Sequence, residues 1–378
     1  MKFIHLSDLH LGKRVFDYSM LEDQEYILKE ILALIDREAP DAVLIAGDVY
    51  DRSVAPIEAV ELLDEFLVQL SRRELTVFLI SGNHDSPERL AFAGRLIASK
   101  GIYVSPAYNG KVEPIVLRDA HGPLNVYLLP FVKPAQVRRF FPEAKIESYN
   151  DALKTAVEAL RIDRRERNIL VTHQFVTGAA RSDSEEISVG GSDNIDAAVF
   201  EGFDYVALGH IHSPQNIGSE RIRYCGSPLK YSFSEAKQEK SLTLLTMEEK
   251  GSLAVRTLPL APLRDLREIE GSYEELTYRP NYEGSPVDDY LHITLTDEED
   301  IPDAVGKLRL IYPNLMSLDY QNSRTKAAGL LADPEDLEHK SPLTLFEEFY
   351  EQQNGRPMSG EQKDFSRELM EHIWEESL

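Results

Sequence analysis

The chain has 378 residues, 42% hydrophobic and 28% charged, which leaves room for about two or three domains with a buried core. No stretch approaches the roughly 20 consecutive apolar residues of a membrane span, the first residues read as a strand rather than a signal peptide, and the single cysteine, Cys225, excludes an internal disulfide and fits the cytoplasm. A net charge of −24 argues against a DNA-binding protein of the ordinary basic kind, because nonspecific affinity comes largely from Lys and Arg neutralising phosphates. The acid crowds the last quarter, however. Basic groups cluster earlier, at Arg72-Arg73, Lys133, Arg138-Arg139 and Arg161 to Arg167, where solvated helix faces are the simpler reading and a local positive groove the alternative.

Lys2 to Leu6 is predicted as an apolar strand that delivers Asp8 and His10 before Gly12 releases the chain. Strand side chains alternate, so Asp8 and His10 share a face while the backbone stays extended, and His5 points elsewhere. Leu21 to Arg37 has helical apolar spacing. Ala42 to Ala46 is wholly apolar, as in strands covered on both faces, and runs into Gly47-Asp48. Pro56 opens a second helix with Leu63, Phe66 and Leu70 on one stripe. Val77 to Ile80 is a strand entering Gly82-Asn83-His84-Asp85, and Ser86 and Pro87 start a helix reaching about Ser99. This order predicts an α/β domain.

Further strands are predicted at Val126 to Leu129, Ile169 to Thr172 and Tyr205 to Leu208, with a helix from Asn150 to about Arg164. Arg221 to Leu258 reads as short strands of an antiparallel edge, and Pro259 and Pro262 mark a boundary. Residues 264 to 320 form a small α+β pattern: strands Arg267 to Glu270, Tyr290 to Leu295 and Leu315 to Tyr320, and a helix from Pro302 to Ile311. The acidic tail carries two helical segments, Leu343 to Gln353 and Gly360 to Trp374.

Five places share one design, an apolar run followed by metal-ligand chemistry: Asp8-Leu9-His10, Gly47-Asp48, Gly82-Asn83-His84-Asp85, Thr172-His173-Gln174 and Gly209-His210-Ile211-His212. Each alone has a bland reading, as a turn, a helix cap or a satisfied core histidine. Together, each at the carboxyl end of a strand where α/β crevices form, they point to a metal centre. Mixed carboxylate, amide and imidazole donors suit Mn²⁺, Fe or Zn²⁺ better than Ca²⁺ or Mg²⁺. There are too many donors for one ion, whereas two cations about 3.5–4 Å apart with a bridging carboxylate use them all.

This series resembles the calcineurin-like metallophosphoesterase superfamily over roughly the first 260 residues. With the segment Tyr224 to Phe233 it resembles, more narrowly, the branch of nucleases that repair DNA double-strand breaks. The resemblance implies a metallophosphoesterase β-sandwich flanked by helices (residues 1–262), a capping domain (263–324), and a linker with C-terminal helices that dock an SMC-like ATPase (325–378). It implies two divalent cations, Mn²⁺ by family preference, with Asp8, His10 and His212 on one, Asn83, His173 and His210 on the other, and Asp48 bridging. His84 would stabilise the transition state or protonate the leaving alkoxide, and Asp85 would orient His84 or cap the helix. No role carries over to Asp51.

The activity implied is 3′→5′ exonuclease on duplex DNA ends and endonuclease on single strands and hairpins. The helices at 56 to 71 and 87 to 99 would form a homodimer. The tail would present the apolar stripes Leu343, Leu345, Phe346, Phe349 and Tyr350, then Phe365, Leu369, Ile373 and Trp374, to the ATPase. A competing reading keeps the site for a small nucleotide or phosphomonoester and leaves the cap and tail idle. Cys225 reads as a small turn residue, and the long polar loop Gly178 to Asn194 as either a flap near the site or a surface excursion.

Overall fold

The computed structural model describes residues 1–185, 194–322, 342–354 and 357–376. Among them no helix is long and apolar enough to cross a membrane. In chain order, β1 (Lys2–Leu6) is followed by a short hairpin of β2 (Arg14–Val15) and β3 (Tyr18–Ser19), then by β4 (Ala42–Ala46), β5 (Thr76–Ile80) and β6 (Ile102–Val104). Next come β7 (Ile115–Asp119), β8 (Gly122–Leu129), β9 (Arg167–His173), β10 (Tyr205–Gly209), β11 (Gln215–Ile217) and β12 (Ser219–Tyr224). β13 (Ser241–Met247) and β14 (Leu253–Pro259) complete two six-stranded sheets. The first has the order β14-β13-β1-β4-β5-β6 and the second β11-β12-β10-β9-β8-β7. Strands β1, β4, β5 and β6 run parallel, as do β8, β9, β10 and β12. Over 221 to 258, β13 and β14 form the expected antiparallel edge of the first sheet, while β12 pairs antiparallel with β11 and parallel with β10.

Parity along each strand builds the sandwich. Phe3, Leu44, Phe78 and Ile80 of the first sheet meet Val126, Ile169, Val171 and Tyr205 of the second in a core between the sheets. The alternate residues Ile4, Val43, Ile45, Val77 and Leu79 turn outward to α1 (Leu21–Glu38) and α2 (Ile57–Arg72). The far face of the second sheet is covered by the helix Tyr149–Glu158 through Leu153 and Ala156. Central strands are thus covered twice, which is why they are continuously apolar. Helix α1 buries Ile27, Leu28, Ile31 and Ile35, each worth about 1.5–3 kcal/mol relative to exposure. His5 follows the parity of Phe3, and its Nδ1 meets Tyr205 Oη at 2.9 Å, away from the other motif histidines.

Two expected helices are shorter than their spacing suggested. Ser86 caps Pro87–Leu90 as anticipated, its Oγ accepting from Arg89 N, but the chain turns left-handed at Ala93 (φ 59) and restarts as Gly94–Ile97. Phe92 and Leu96 are 82% and 76% exposed, so no continuous buried stripe holds a longer helix together. The helix starting at Tyr149 ends at Glu158, ahead of left-handed Arg161.

Strands β15 (Leu266–Gly271), β16 (Tyr290–Leu295) and β17 (Leu315–Tyr320) make a three-stranded sheet in that order. The chain divides into two compact units. One comprises Met1–Ile269, Gly284–His292 and Lys307–Ser317; the other comprises Glu270–Glu283, Ile293–Gly306 and the chain from Leu318 onward. In the second unit the helices Pro342–Asn354 and Gly360–Glu376 are tied by Lys363 Nζ to Glu347 Oε1 (2.6 Å) and by Gln362 Nε2 donating to Tyr350 Oη (3.0 Å). Residues 323–341 and the side chains of Leu345, Ile373 and Trp374, part of the predicted tail, lie outside the described residues.

Candidate metal centre

Strands β1, β4, β5, β9 and β10 each present one of the predicted motifs at the carboxyl end, with His173 the last residue of β9 and the other donor residues in the loops that follow. Strand parity, the expected reason for the alignment of Asp8 with His10, is not what aligns them. β1 ends at Leu6, and both residues take left-handed angles, φ 53 and 45. Their common direction comes from a tight turn pinned by Asp8 N to Gly47 O (3.0 Å) and His10 N to Asp48 O (2.9 Å). Asp48 (φ 48) and His210 (φ 100) are left-handed as well, a conformation that costs on the order of 1–3 kcal/mol at each non-glycine and concentrates where surroundings enforce it. Gln24 of α1 braces the turn, donating to His10 O (2.7 Å) and accepting from Gly12 N (2.9 Å).

Glycines let these loops touch. A Cβ on Gly209 would lie 1.9 Å from Ala46 O and 2.6 Å from His173 Nδ1, and one on Gly82 would lie 2.1 Å from Asp48 Oδ1. At Gly209 the obstacle is backbone, which cannot swing away. Gly209→Ala is therefore expected to lower stability by about 1–3 kcal/mol or more, read as an earlier calorimetric melt. Gly360→Ala, with nothing within 4 Å of the added carbon, is the control. Equal melting of the two variants would contradict the close approach.

The predicted residues come together in three overlapping triplets: Asp8, His10 and His212; Asp48, His173 and His210; His10, Asp48 and His84. Within each the donor atoms lie within 4.8 Å of one another. His10 Nε2 faces His212 Nε2 at 3.1 Å, and Asn83 Oδ1 sits 3.0 Å from both His173 Nε2 and His210 Nδ1. Asp48 Oδ2 stands between the groups, 3.2 Å from His173 Nε2, 3.7 Å from His10 Nε2 and 3.9 Å from His84 Nε2. All but Asn83 and His84 are buried. The donor set fits divalent cations: the Nδ1 of His212 is engaged by Ser184 Oγ at 2.7 Å, which leaves its Nε2 lone pair aimed at another imidazole beside a carboxylate. A cation there would be ligated by both imidazoles and the carboxylate.

Electrostatics prepares the same donors. Burial holds His10 well below the usual imidazole range and His210 down to about 3, so both stay in the neutral form that ligates. Burial raises the Asp8 carboxyl to about 6. Burial also opposes ionisation of Asp48, yet the imidazoles of His173, His10 and His84 keep its carboxyl well below the ordinary range. His173 would likewise be lowered by burial, but the carboxylates of Asp48 and Asp8 carry it up to about 9. A cation taken up at neutral pH must displace that proton.

His84 Nδ1 donates to Asp51 O at 3.0 Å, so the ring is oriented by a residue to which no role was carried over. Asp51 Oδ1 in turn pairs with Lys13 Nζ at 2.9 Å. Asp85, expected to orient His84 or to cap, does neither. Its carboxylate accepts from Val49 N (3.1 Å), Tyr50 N (2.9 Å) and Gly82 N (2.9 Å), binding the Asp48 loop to the Asn83 loop, and burial lifts its pKa to about 6. Cys225 is buried with Sγ 3.0 Å from Ser7 Oγ, and burial pushes its thiol above the ordinary range, as suits a packed thiol.

Sequence reasoning missed the groups around His212. The described start of the 178–194 loop returns to the site, where Glu185 Oε1 accepts from His212 N at 2.7 Å; residues 186–193 lie outside the described residues. Glu235 Oε1 lies 3.4 Å from His212 Nδ1 across 23 residues of chain, a separation no local spacing flags.

Residues 1–214 match the family model described as calcineurin-like phosphoesterase, and residues 262–354 the one described as type 5 capsule protein repressor C-terminal domain. The chain is 34% identical over 380 residues to the SbcD subunit of nuclease SbcCD from Staphylococcus epidermidis, with 99% of each chain covered. It is 32% identical to the corresponding subunit from Staphylococcus saprophyticus, covering 100% of this chain and 99% of that one. Among solved structures, a dimetal phosphatase from Danio rerio aligns with TM-score 0.40 at 11% identity, over 70% of this chain and 98% of its own.

Proposed function

This chain belongs to the calcineurin-like phosphoesterase family, on the branch of the SbcD nucleases, and on that premise we propose that it is a Mn²⁺-dependent DNA phosphodiesterase working with an SbcC-type ATPase in the cytoplasm. The observation that most supports this is Asp48 standing between two buried donor groups with His84 beside them. Asp8, His10 and His212 would hold one cation, Asn83, His173 and His210 the other, and Asp48 both. Bound there, two divalent cations would polarise a phosphoryl oxygen and make water a stronger nucleophile near neutral pH. His84, its Nδ1–H taken by Asp51 O, would as the imidazolium carry a second N–H at Nε2, and that proton would go to the leaving alkoxide and leave the neutral ring.

The activity is 3′→5′ exonuclease on duplex ends and endonuclease on single strands and hairpins. Residues 1–262 form the nuclease domain, 263–324 the cap and 325–378 the linker and docking helices. Phe349, Phe365 and Leu369 are each more than half exposed, which supports a face for the helices of the ATPase. Exposed Ile57, Phe92 and Leu96 support a homodimer contact. With a chain this acidic, the partner and a local groove grip the DNA.

The test is cleavage of a labelled hairpin and a single strand with Mn²⁺, Mg²⁺ or EDTA, beside p-nitrophenyl diester and monoester substrates. DNA cleavage with Mn²⁺, abolished by EDTA, is expected; hydrolysis of the small esters alone, even with the ATPase added, would transfer the site to a small phosphoester. Removing residues 341–378 is expected to spare metal-dependent cleavage while ending co-purification with the ATPase. Undiminished co-purification would sink the docking role.

A further inference from the structure

His212 is held from two segments that no motif marks. Its Nδ1 meets Ser184 Oγ at 2.7 Å, and that hydroxyl donates onward to Glu235 Oε1. The other oxygen of Glu235 pairs with Lys240 Nζ at 2.5 Å, and the same ammonium donates to His212 O (2.8 Å), Gln238 Oε1 (2.9 Å) and Ser227 Oγ (3.0 Å). Glu235 is wholly buried and Lys240 is 6% exposed. An ion pair taken so far out of water is weak evidence for a stability role, because desolvation offsets most of its attraction. The other site histidines offer a contrast. The second nitrogen of His173 has only a main-chain carbonyl, Ala46 O at 2.8 Å, and His10 Nδ1 makes no hydrogen bond among the described residues, with Asp51 Oδ1 standing off at 3.7 Å.

We propose that Ser184, Glu235 and Lys240 are positioning residues that hold His212 as its Nδ1–H tautomer, present Nε2 to a cation and so set the affinity of the Asp8–His10–His212 site. The inference rests on the metal-centre reading above. The Nδ1–H of His212 donates to Ser184, whose own proton is directed to Glu235, and the negative charge at the end of this relay makes the imidazole a better donor. Lys240 occupies the second oxygen of Glu235 and balances its charge, so the first oxygen stays an acceptor. Loss of such a partner behind a ligating histidine typically costs 10–100-fold in metal affinity.

The full-length protein, stripped of metal, is titrated with Mn²⁺ alone and followed by calorimetry and electron paramagnetic resonance. Wild type is expected to bind two ions and show an exchange-coupled pair. Glu235→Gln is expected to weaken one ion by about 10–100-fold, leave the other unchanged, and replace the coupled spectrum with that of isolated Mn²⁺. Ser184→Ala breaks the relay without stranding a buried charge, so it carries the test if the Gln variant does not fold. Ser184→Thr, which keeps the hydroxyl, should restore both ions. Two ions at wild-type affinity in Ser184→Ala overturn the relay alone; no Mn²⁺ bound by wild type overturns the metal centre with it.

Discussion

Asp48→Asn is expected to lower phosphodiester turnover by about 10³-fold or more and to cost the protein bound metal. The carboxylate oxygen Oδ2 is the atom that both donor groups share, within 3.7 Å of His173 and His10. An amide in its place is neutral and a weaker donor, so it would neither hold two cations well nor balance their charge. A metal centre supplies several kcal/mol of transition-state stabilisation, and each 1.36 kcal/mol is tenfold in rate, which gives the magnitude. The other oxygen, Oδ1, accepts from His84 N at 3.0 Å, a bond the amide oxygen of Asn can keep only by turning its NH2 toward the histidines. Metal content and turnover are measured on the same sample. Two ions per chain with near-normal turnover would remove Asp48 from the bridging position.

His84→Gln is expected to do the opposite to binding and nearly the same to rate: both ions stay, and DNA cleavage falls by about 10²–10⁴-fold, the usual contribution of a positioned general acid. The half-buried ring stands edge-on to His10, 4.8 Å between centroids, with Nε2 on the Asp48 side and Nδ1 committed to Asp51 O. Glutamine can keep an N–H toward Asp51 O but has no proton to deliver at neutral pH. The leaving group separates the two roles open to His84. If the ring protonates an alkoxide, the loss on a p-nitrophenyl diester, whose phenolate leaves without help, is much smaller than the loss on DNA. Equal losses on both substrates assign it to transition-state charge instead, and an unchanged rate on DNA excludes it.

Much of this was legible in the chain itself. Ala42 to Ala46 and Tyr290 to Leu295 appear as strands with the predicted bounds, and α1 runs one residue past its predicted end, because periodicity and burial on two faces are written into consecutive residues. The motifs were legible for the same reason: each occupies a few residues after an apolar run, so their order reveals a shared edge before any coordinates exist. The helix predicted over 87 to 99 failed where local signals meet no support. Ser86 and Pro87 start it correctly, but Phe92 and Leu96 have no core to face, and the chain turns at Ala93.

The rest was decided only by the tertiary structure. Composition and motif order determined the domain class, the donor types and which residues cluster. What each donor does with its second polar atom depends on chain brought from far away. Asp8 and His10 point together because carbonyls of the next strand's loop fold them left-handed, not because a strand continues through them. Asp85 serves the backbone of the Asp48 loop, 35 and 36 residues earlier. His84 takes its orientation from Asp51 and His212 from Ser184 and Glu235. A hydrogen bond is satisfied by whichever acceptor the packed fold places within about 3 Å, and residue type and spacing carry no record of that choice.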